Sequence, residues 1–439
     1  MGSNFFEETQ IVKKNLGKAE LILSINQINY WLCCLSFFCA SWAVLGSGSY
    51  FISAAIINGF RYVYFILAFL ILLTTDWKSP KRKIDLIIAL TPFIRLAIQR
   101  FWSLSGVASV GSTSFAMICA IYALQSEETK IKVNSFIKWF MVITSVCGIV
   151  CWISSTLHLG LPYTVVPMYG ENGKDIYNIF GVSYYNYHIA YIYHGAVTDR
   201  LCGLFNEPGW MGTFAAFCLI KEKFNFKKVG NIIILIAGVM TFSLAFVLLM
   251  IVGFFLYSVS DWKKWILVIA AVILLLYIVP NVRTGIPGID RTLERMEVTI
   301  EGLSGDNRTN DVFDMEFSKY IRSIDLFLGR GSGAANDLSG MATVSVKFDL
   351  YNYGIIGMCM IYIPIFYLLY KKYKCKETLV FLTCIAISQY QRANFFEVSN
   401  FLLILSGVSA IYYEKNKSSK KKYKQGVVYI QERELGDEN

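Results

Sequence analysis

From about residue 25 to residue 413 the chain is a succession of apolar runs, each closed by charged residues. Little other than a bundle of membrane-crossing helices can be built from that pattern, because one crossing needs roughly 20 apolar residues. Twelve runs are read: about 25–46, 57–75, 84–99, 103–124, 136–157, 209–220, 229–242, 243–259, 265–280, 351–370, 377–390 and 398–413. Residues 229–259 can be one long helix or two, and the charge argument below favours two. The predicted fold class is therefore an all-α integral membrane protein of about 12 transmembrane helices. It has one polytopic domain over 1–439, two large external loops carrying short amphipathic helices, and both termini cytoplasmic. With 55% hydrophobic and 16% charged residues among 439, an ordinary soluble domain and a disordered chain are both excluded. So are collagen, a coiled coil, a disulfide scaffold and a nucleic-acid binder. The eleven cysteines fall almost entirely inside apolar runs and read as small buried hydrophobes; Cys202 alone lies on an external segment, and no spacing resembles a zinc site. Residues 1–24 carry Glu7, Glu8, Lys13 and Lys14 with no cleavage pattern, so the first span is expected to be the insertion signal.

Charge sets the orientation. With the N-terminus inside, the lysine clusters at 78–83, 130–138, 221–228, 263–264 and 371–376 and the basic tail 414–439 all fall on the cytoplasmic side. Arginine does the reverse of lysine. Eleven of thirteen arginines face or approach the outer side, while 25 of 28 lysines are inside. Topology draws either cation to the cytoplasm, so it does not explain an outer face built on arginine. Phosphate binding does, because the guanidinium fork meets phosphate oxygens bidentately and keeps its charge in a partly dry site. A coding bias toward lysine, with ordinary ion-pairing arginines, is the plain alternative.

Two external segments are large. Residues 158–208 are crowded with tyrosine and carry His188 and His194; the rings suit either sugar stacking or an interfacial belt. Residues 281–350 contain Ile289, Leu293, Met296, Ile300 and Leu303 at helical spacing, which predicts an amphipathic helix with Arg291 and Arg295 on one face. Where the first segment meets the sixth span stands Arg200-Leu-Cys-Gly-Leu-Phe-Asn-Glu-Pro-Gly-Trp-Met-Gly212. Here Asn206 or Glu207 caps a helix that starts at Pro208. The functional alternative is a Glu207 carboxylate held ionised beside Arg200 at a helix N-terminus.

This segment, the span containing Thr241-Phe-Ser243, the outer loop with Arg308, Gly329-Arg-Gly-Ser-Gly333 and Tyr353-Gly-Ile-Ile-Gly357, taken in order, resemble the O-antigen polymerases of the Wzy type and related capsule polymerases. The motifs cover about residues 200–357. The resemblance implies a GT-C-like membrane glycosyltransferase of the inner membrane with its active site facing the periplasm. Such enzymes transfer a growing glycan from undecaprenyl pyrophosphate to the next undecaprenyl-pyrophosphate-linked unit. It also implies partners: the undecaprenyl-pyrophosphate-linked oligosaccharide, membrane lipid and a chain-length regulator, with no nucleic acid and no cofactor. The related O-antigen ligases carry a histidine before the span that begins here near Tyr351. Residues 281–350 contain none, which favours a polymerase. No Asp-x-Asp motif or outer histidine cluster is present, so a metal-independent mechanism is expected. On the family's pattern Arg200 and Arg308 are assigned to the pyrophosphate and Glu207 to the acceptor proton, with His194 and His188 as alternatives. Asn206, Arg283, Arg291, Arg295, Arg322 and Arg330 are further substrate-binding candidates. A lipid-linked oligosaccharide flippase is the competing class, for which Arg95 and Arg100 near the third span are the main feature.

Overall fold

The computed structural model describes residues 25–41, 54–77, 83–101, 110–167, 183–195, 198–205, 207–258, 282–285, 290, 293–294, 298–299, 302–303, 311–331, 333–335 and 345–436. The protein is mostly helical, and two helices, Glu127–Leu157 and Val346–Lys372, are long and apolar enough to cross a membrane. In chain order the helices are α1 (25–41), α2 (Ala54–Thr74), α3 (Lys83–Phe101), α4 (Val110–Ala123), α5 (Glu127–Leu157), α6 (Pro208–Lys221), α7 (Val229–Met240), α8 (Leu244–Ser258), α9 (Asp311–Tyr320), α10 (Asp325–Leu328), α11 (Val346–Lys372), α12 (Lys376–Gln391) and α13 (Val398–Gly436). The expected span 265–280 lies outside the described residues. Ser258 stands at one end of the bundle and α9 packs at the other, on the first turns of α11.

α6 is the centre. Every residue from Met211 to Lys221 is buried, so this helix is apolar on all faces, as a helix surrounded by others must be. α5, α7, α8 and α12 enclose it. Phe214 and Phe217 carry its contacts outward to Phe37, Phe205 and Phe381. Residues 229–259 form two helices that reverse between Met240 and Leu244, where Phe242 takes a left-handed backbone (φ 45°). Both arms then return toward the lower end, where Phe254 and Tyr257 of α8 pack on Phe224. At about 18 and 22 Å the arms are short for a bilayer core of about 30 Å.

The lower end is held by lysine. Glu127 accepts from Lys372 Nζ at 2.6 Å, Tyr373 OH at 3.0 Å and Ser409 Oγ at 2.6 Å, and Lys372 also pairs with Asp85. One carboxylate thus joins α5, α11 and α13, and Lys372 adds α3. Glu222 gathers Lys138 (2.9 Å) and Lys228 (2.5 Å), and Glu377 gathers Lys223 (3.1 Å) and Lys415 (3.2 Å). At the upper end, where α3, α5, α7 and α12 finish, stand Arg95, Arg200 and Arg392, and the α9–α11 corner there adds Lys319 and Lys347, paired with Glu316 and Asp314.

Two expectations require correction. The described residues of the tyrosine-rich segment form, in place of the expected loop with short helices, a four-stranded antiparallel meander of β1 (Thr164–Pro167), β2 (Ser183–Asn186), β3 (Tyr191–His194) and β4 (Asp199–Gly203). Tyrosine, valine and isoleucine fit a pleated surface better than a helix, and this local preference wins. The amphipathic helix expected to run through Leu303 is also not continuous. Val298–Thr299 (β5) pairs with Gly302–Leu303 (β6), as the β-branched run Val298-Thr299-Ile300 favours extended backbone. Ile289, Met296 and Ile300 lie outside the described residues. Among the described residues the amphipathic helix of this segment is α9, with Phe313, Phe317 and Tyr320 against Phe348 and Tyr351.

Candidate functional site

β4 delivers the chain into α6, and the geometry of this passage places the first two candidates. Glu207 is the N-cap residue of α6, in extended conformation (φ −155°, ψ 154°), with Pro208 in the first turn. Its carbonyl accepts from Trp210 N at 3.2 Å, so its backbone caps while its side chain makes no capping bond. The carboxylate instead forms an ion pair with Arg392 Nη1. Asn206 lies outside the described residues. Arg392 comes from the turn between α12 and α13, 185 residues away. Its guanidinium lies against the start of α6, and a Cβ at Gly209 would stand 2.4 Å from its Nη2, so a larger residue there would have to displace the guanidinium.

Arg200 points elsewhere. Its Nε donates to the Thr241 carbonyl at 3.0 Å and its Nη2 to the Phe242 carbonyl at 3.1 Å, while the Tyr193 ring lies 5.6 Å from the guanidinium. The fork therefore clasps the reversal between α7 and α8, satisfying carbonyls that the end of α7 leaves open. Burial pulls the Arg200 pKa below the ordinary arginine value, with Glu207 among the charges that oppose the fall. Glu207 is thus an electrostatic neighbour of Arg200, and its ion-pair partner is Arg392.

Strand alternation separates the histidines from this arginine. In the β3–β4 register Tyr193 faces Arg200 and His194 faces Asp199, so consecutive residues project to opposite faces of the sheet. His194 Nδ1 lies 2.6 Å from Asp199 Oδ1, with Tyr185 stacked on its ring and Ser155 of α5 bonded to the same aspartate. His188 sits exposed on the β2–β3 turn at φ 66°.

Beyond Arg392 the turn carries a second carboxylate. Asn394 N donates to the Arg392 carbonyl at 2.8 Å, Glu397 N to the Asn394 carbonyl at 3.0 Å and Phe395 N to Gln389 Oε1 at 2.9 Å. The Glu397 side chain borders a cavity of about 100 Å³ between α3, α4 and this turn, walled by Arg95, Gln99, Pro92, Phe115 and Phe396. Burial pushes the Glu397 carboxyl up to about 7; Arg95 and Arg392 oppose the rise and Glu207 adds to it. Arg95 lies 5.4 Å from the Phe396 ring and interacts with Asp349, whose Oδ2 accepts from Tyr362 OH at 3.0 Å. Across the upper end, guanidinium and carboxylate alternate: Arg200, Glu207, Arg392, Glu397, Arg95, Asp349.

Of the remaining candidates, those among the described residues are not gathered here. Arg291, Arg295 and Arg308 lie outside the described residues. Arg283 pairs with Glu294 at 3.2 Å on an exposed surface, and Arg322 is exposed on the turn after α9. Arg330 is engaged by Glu316 (2.6 Å), Asp325 (3.2 Å) and Tyr351 OH (2.9 Å), and acts as the clamp of the α9–α10–α11 corner. Cys202 is buried in β4, and all eleven cysteines are free. Among the described residues no group of three or more His, Cys, Asp or Glu could hold a metal ion.

Arg392 and Glu397 are the site residues that sequence reasoning missed. Arg392 was visible only as one outer arginine among eleven. The available signal was two ionisable residues in the seven-residue connection between two apolar runs, where a short polar turn would suffice. In comparisons with known proteins, no family model, no curated protein and no solved structure matches the chain.

Proposed function

We propose that the protein is a membrane-bound polysaccharide polymerase with about twelve spans and both termini cytoplasmic. It transfers a growing glycan from undecaprenyl pyrophosphate to the next undecaprenyl-pyrophosphate-linked repeat unit on the outer face of the inner membrane, for O-antigen or capsule synthesis. The observation that supports this most is the segregation of cations along one bundle. Lysines hold the lower end, while guanidiniums interleaved with carboxylates line the upper end. Displacing a pyrophosphate from an anomeric carbon builds negative charge on phosphate oxygens, and positioned arginines stabilise that charge without being able to lose their own. In this reading Arg392 and Arg95 face the leaving group, Arg308 keeps the pyrophosphate role that the resemblance gives it, and Glu207 fixes Arg392. Arg200 holds the α7–α8 reversal beneath them. Partners are the lipid-linked oligosaccharide, membrane lipid and a chain-length regulator.

A flippase is the second reading, favoured by the ionisable set Arg95, Asp349 and Glu397 lying among the helices. The test is to incubate the protein in lipid nanodiscs with the undecaprenyl-pyrophosphate-linked repeat unit of its own cells and EDTA. A product ladder supports the polymerase. No ladder from folded protein refutes it, and points to an O-antigen ligase if added lipid A core restores transfer, or to a flippase if it does not.

Arg200→Lys sharpens the assignment. Lysine keeps the charge but cannot donate along two fixed directions, so one charge-assisted bond to Thr241 or Phe242 is lost. Such a bond is worth about 1.5–3 kcal/mol, and chain growth is expected to fall about ten- to a hundredfold while the protein stays inserted. Wild-type chain length in this variant would remove Arg200 from the site.

A further inference from the structure

The proton released by the acceptor hydroxyl needs an acceptor, and the structure separates the candidates. The Glu207 carboxylate is already engaged by the Arg392 guanidinium. His194 is paired with Asp199 on the face of the sheet that packs toward α5, opposite to Arg200, and His188 is on a distant turn. Glu397 differs from all three. Among the described residues its carboxylate makes neither a hydrogen bond nor an ion pair, and it borders a cavity that also presents the donors Arg95 and Gln99 and is walled by Phe396 and Phe115. A cavity of about 100 Å³ has room for a few waters or for the hydroxyl-bearing edge of one sugar ring, with aromatic walls suited to its C–H face.

We infer that Glu397 accepts the proton of the acceptor sugar's hydroxyl, and that the cavity between Arg95, Gln99 and Phe396 seats that sugar. The inference rests on the glycosyl-transfer reading above. In the step, the hydroxyl oxygen attacks the anomeric carbon of the donor and the bond from that carbon to the pyrophosphate oxygen breaks. The electron pair leaves with undecaprenyl pyrophosphate, and the hydroxyl proton passes to a Glu397 oxygen and then to water. The charged and titratable groups facing Glu397 are Arg95 from α3, Arg392 from its own turn, Glu207 from α6, Cys119 from α4 and Tyr64 from α2. Burial dominates over these and sets the carboxyl near 7, where a base is both available and strong enough to be useful.

The nanodisc ladder assay tests this with Glu397→Gln, Glu397→Ala and His194→Ala, each checked for a wild-type melting transition. Glu397→Gln is expected to slow ladder growth by about 10²- to 10⁴-fold. Added formate is expected to restore part of the rate to Glu397→Ala and none to Glu397→Gln, which a merely structural glutamate would not do. His194→Ala is expected to stay within a few-fold of wild type. The wild-type rate is expected to rise with pH and level off above about 7, as the carboxylate form becomes populated. That profile needs no variant to fold. Wild-type protein giving no ladder overturns the polymerase reading and this assignment with it. A wild-type ladder with Glu397→Gln retaining more than about a tenth of the rate, or with a rate flat between roughly pH 5.5 and 8.5, overturns the assignment alone.

Discussion

Glu207→Ala is expected to destabilise the folded protein by about 3–5 kcal/mol, and Arg392→Met by only about 1–3 kcal/mol, although each removes one side of the same ion pair. The difference lies in what is left behind. Arg392 has 7% of its side chain exposed and cannot shed its proton, so without Glu207 a bare guanidinium stays buried against α6. Glu207 is 28% exposed, so without Arg392 it can take up water or a proton. The double variant Glu207→Ala/Arg392→Met is expected to resemble Arg392→Met alone, because the stranded cation is gone. Equilibrium unfolding in mixed micelles measures all three. Equal single effects, or a double variant equal to their sum, would show that the pair carries no such asymmetry.

Gly354→Ala is expected to cost more than about 4 kcal/mol and to release the α9–α10 corner from the bundle. Gly354 adopts φ 64° and ψ −178°, a conformation essentially restricted to glycine, and it interrupts α11 there. The strain alone accounts for about 1–3 kcal/mol. Space is the larger difficulty. A Cβ on Gly354 would stand 2.5 Å from Gly329 N and 2.5 Å from the Phe327 carbonyl oxygen, and neither backbone atom can rotate away. The contact is close because Arg330 N donates to the Tyr351 carbonyl at 2.8 Å and Gly331 N to the Asn352 carbonyl at 3.0 Å. Limited proteolysis within 311–335 is the readout, with Ile355→Ala, at a residue 39% exposed, as a comparator expected to change little. A protected corner in Gly354→Ala would mean that α11 can straighten without loss.

Much of the helical layout was legible because hydropathy reports it directly: the run at 136–157 lies in α5 and the run at 351–370 lies in α11. The start of α11 was less so. Helical backbone begins at Val346, but the interruption at Gly354 comes from a backbone contact with Gly329 that no local pattern encodes. The sheet was missed for a different reason. Tyr185, Ile192 and His194 point to one face, Tyr184 and Tyr193 to the other, so there was no alternation of polar and apolar residues to read. Tyr184 and Ile192 are nonetheless both buried, one on each side, as in a sheet covered on two faces. The site divides in the same way. The N-cap position of Glu207 follows from Pro208, a local cue, whereas its partner Arg392 lies 185 residues along and could not be chosen from eleven outer arginines without the fold.

The carboxylate that ties the lower end together has a consequence in time. Glu127 leaves the ribosome early, yet Lys372 and Ser409 follow it by 245 and 282 residues. At about 5–20 residues per second, some 10–50 seconds pass before its first distant partner exists. During that interval α5 already packs on α1, β4 and α7, and only its Glu127 end lacks the partners that α11 and α13 bring. The lower end of α5 therefore stays unlatched until Lys372 and Ser409 have been made, and a nascent chain halted before Ser409 would still present that end to chaperones and proteases.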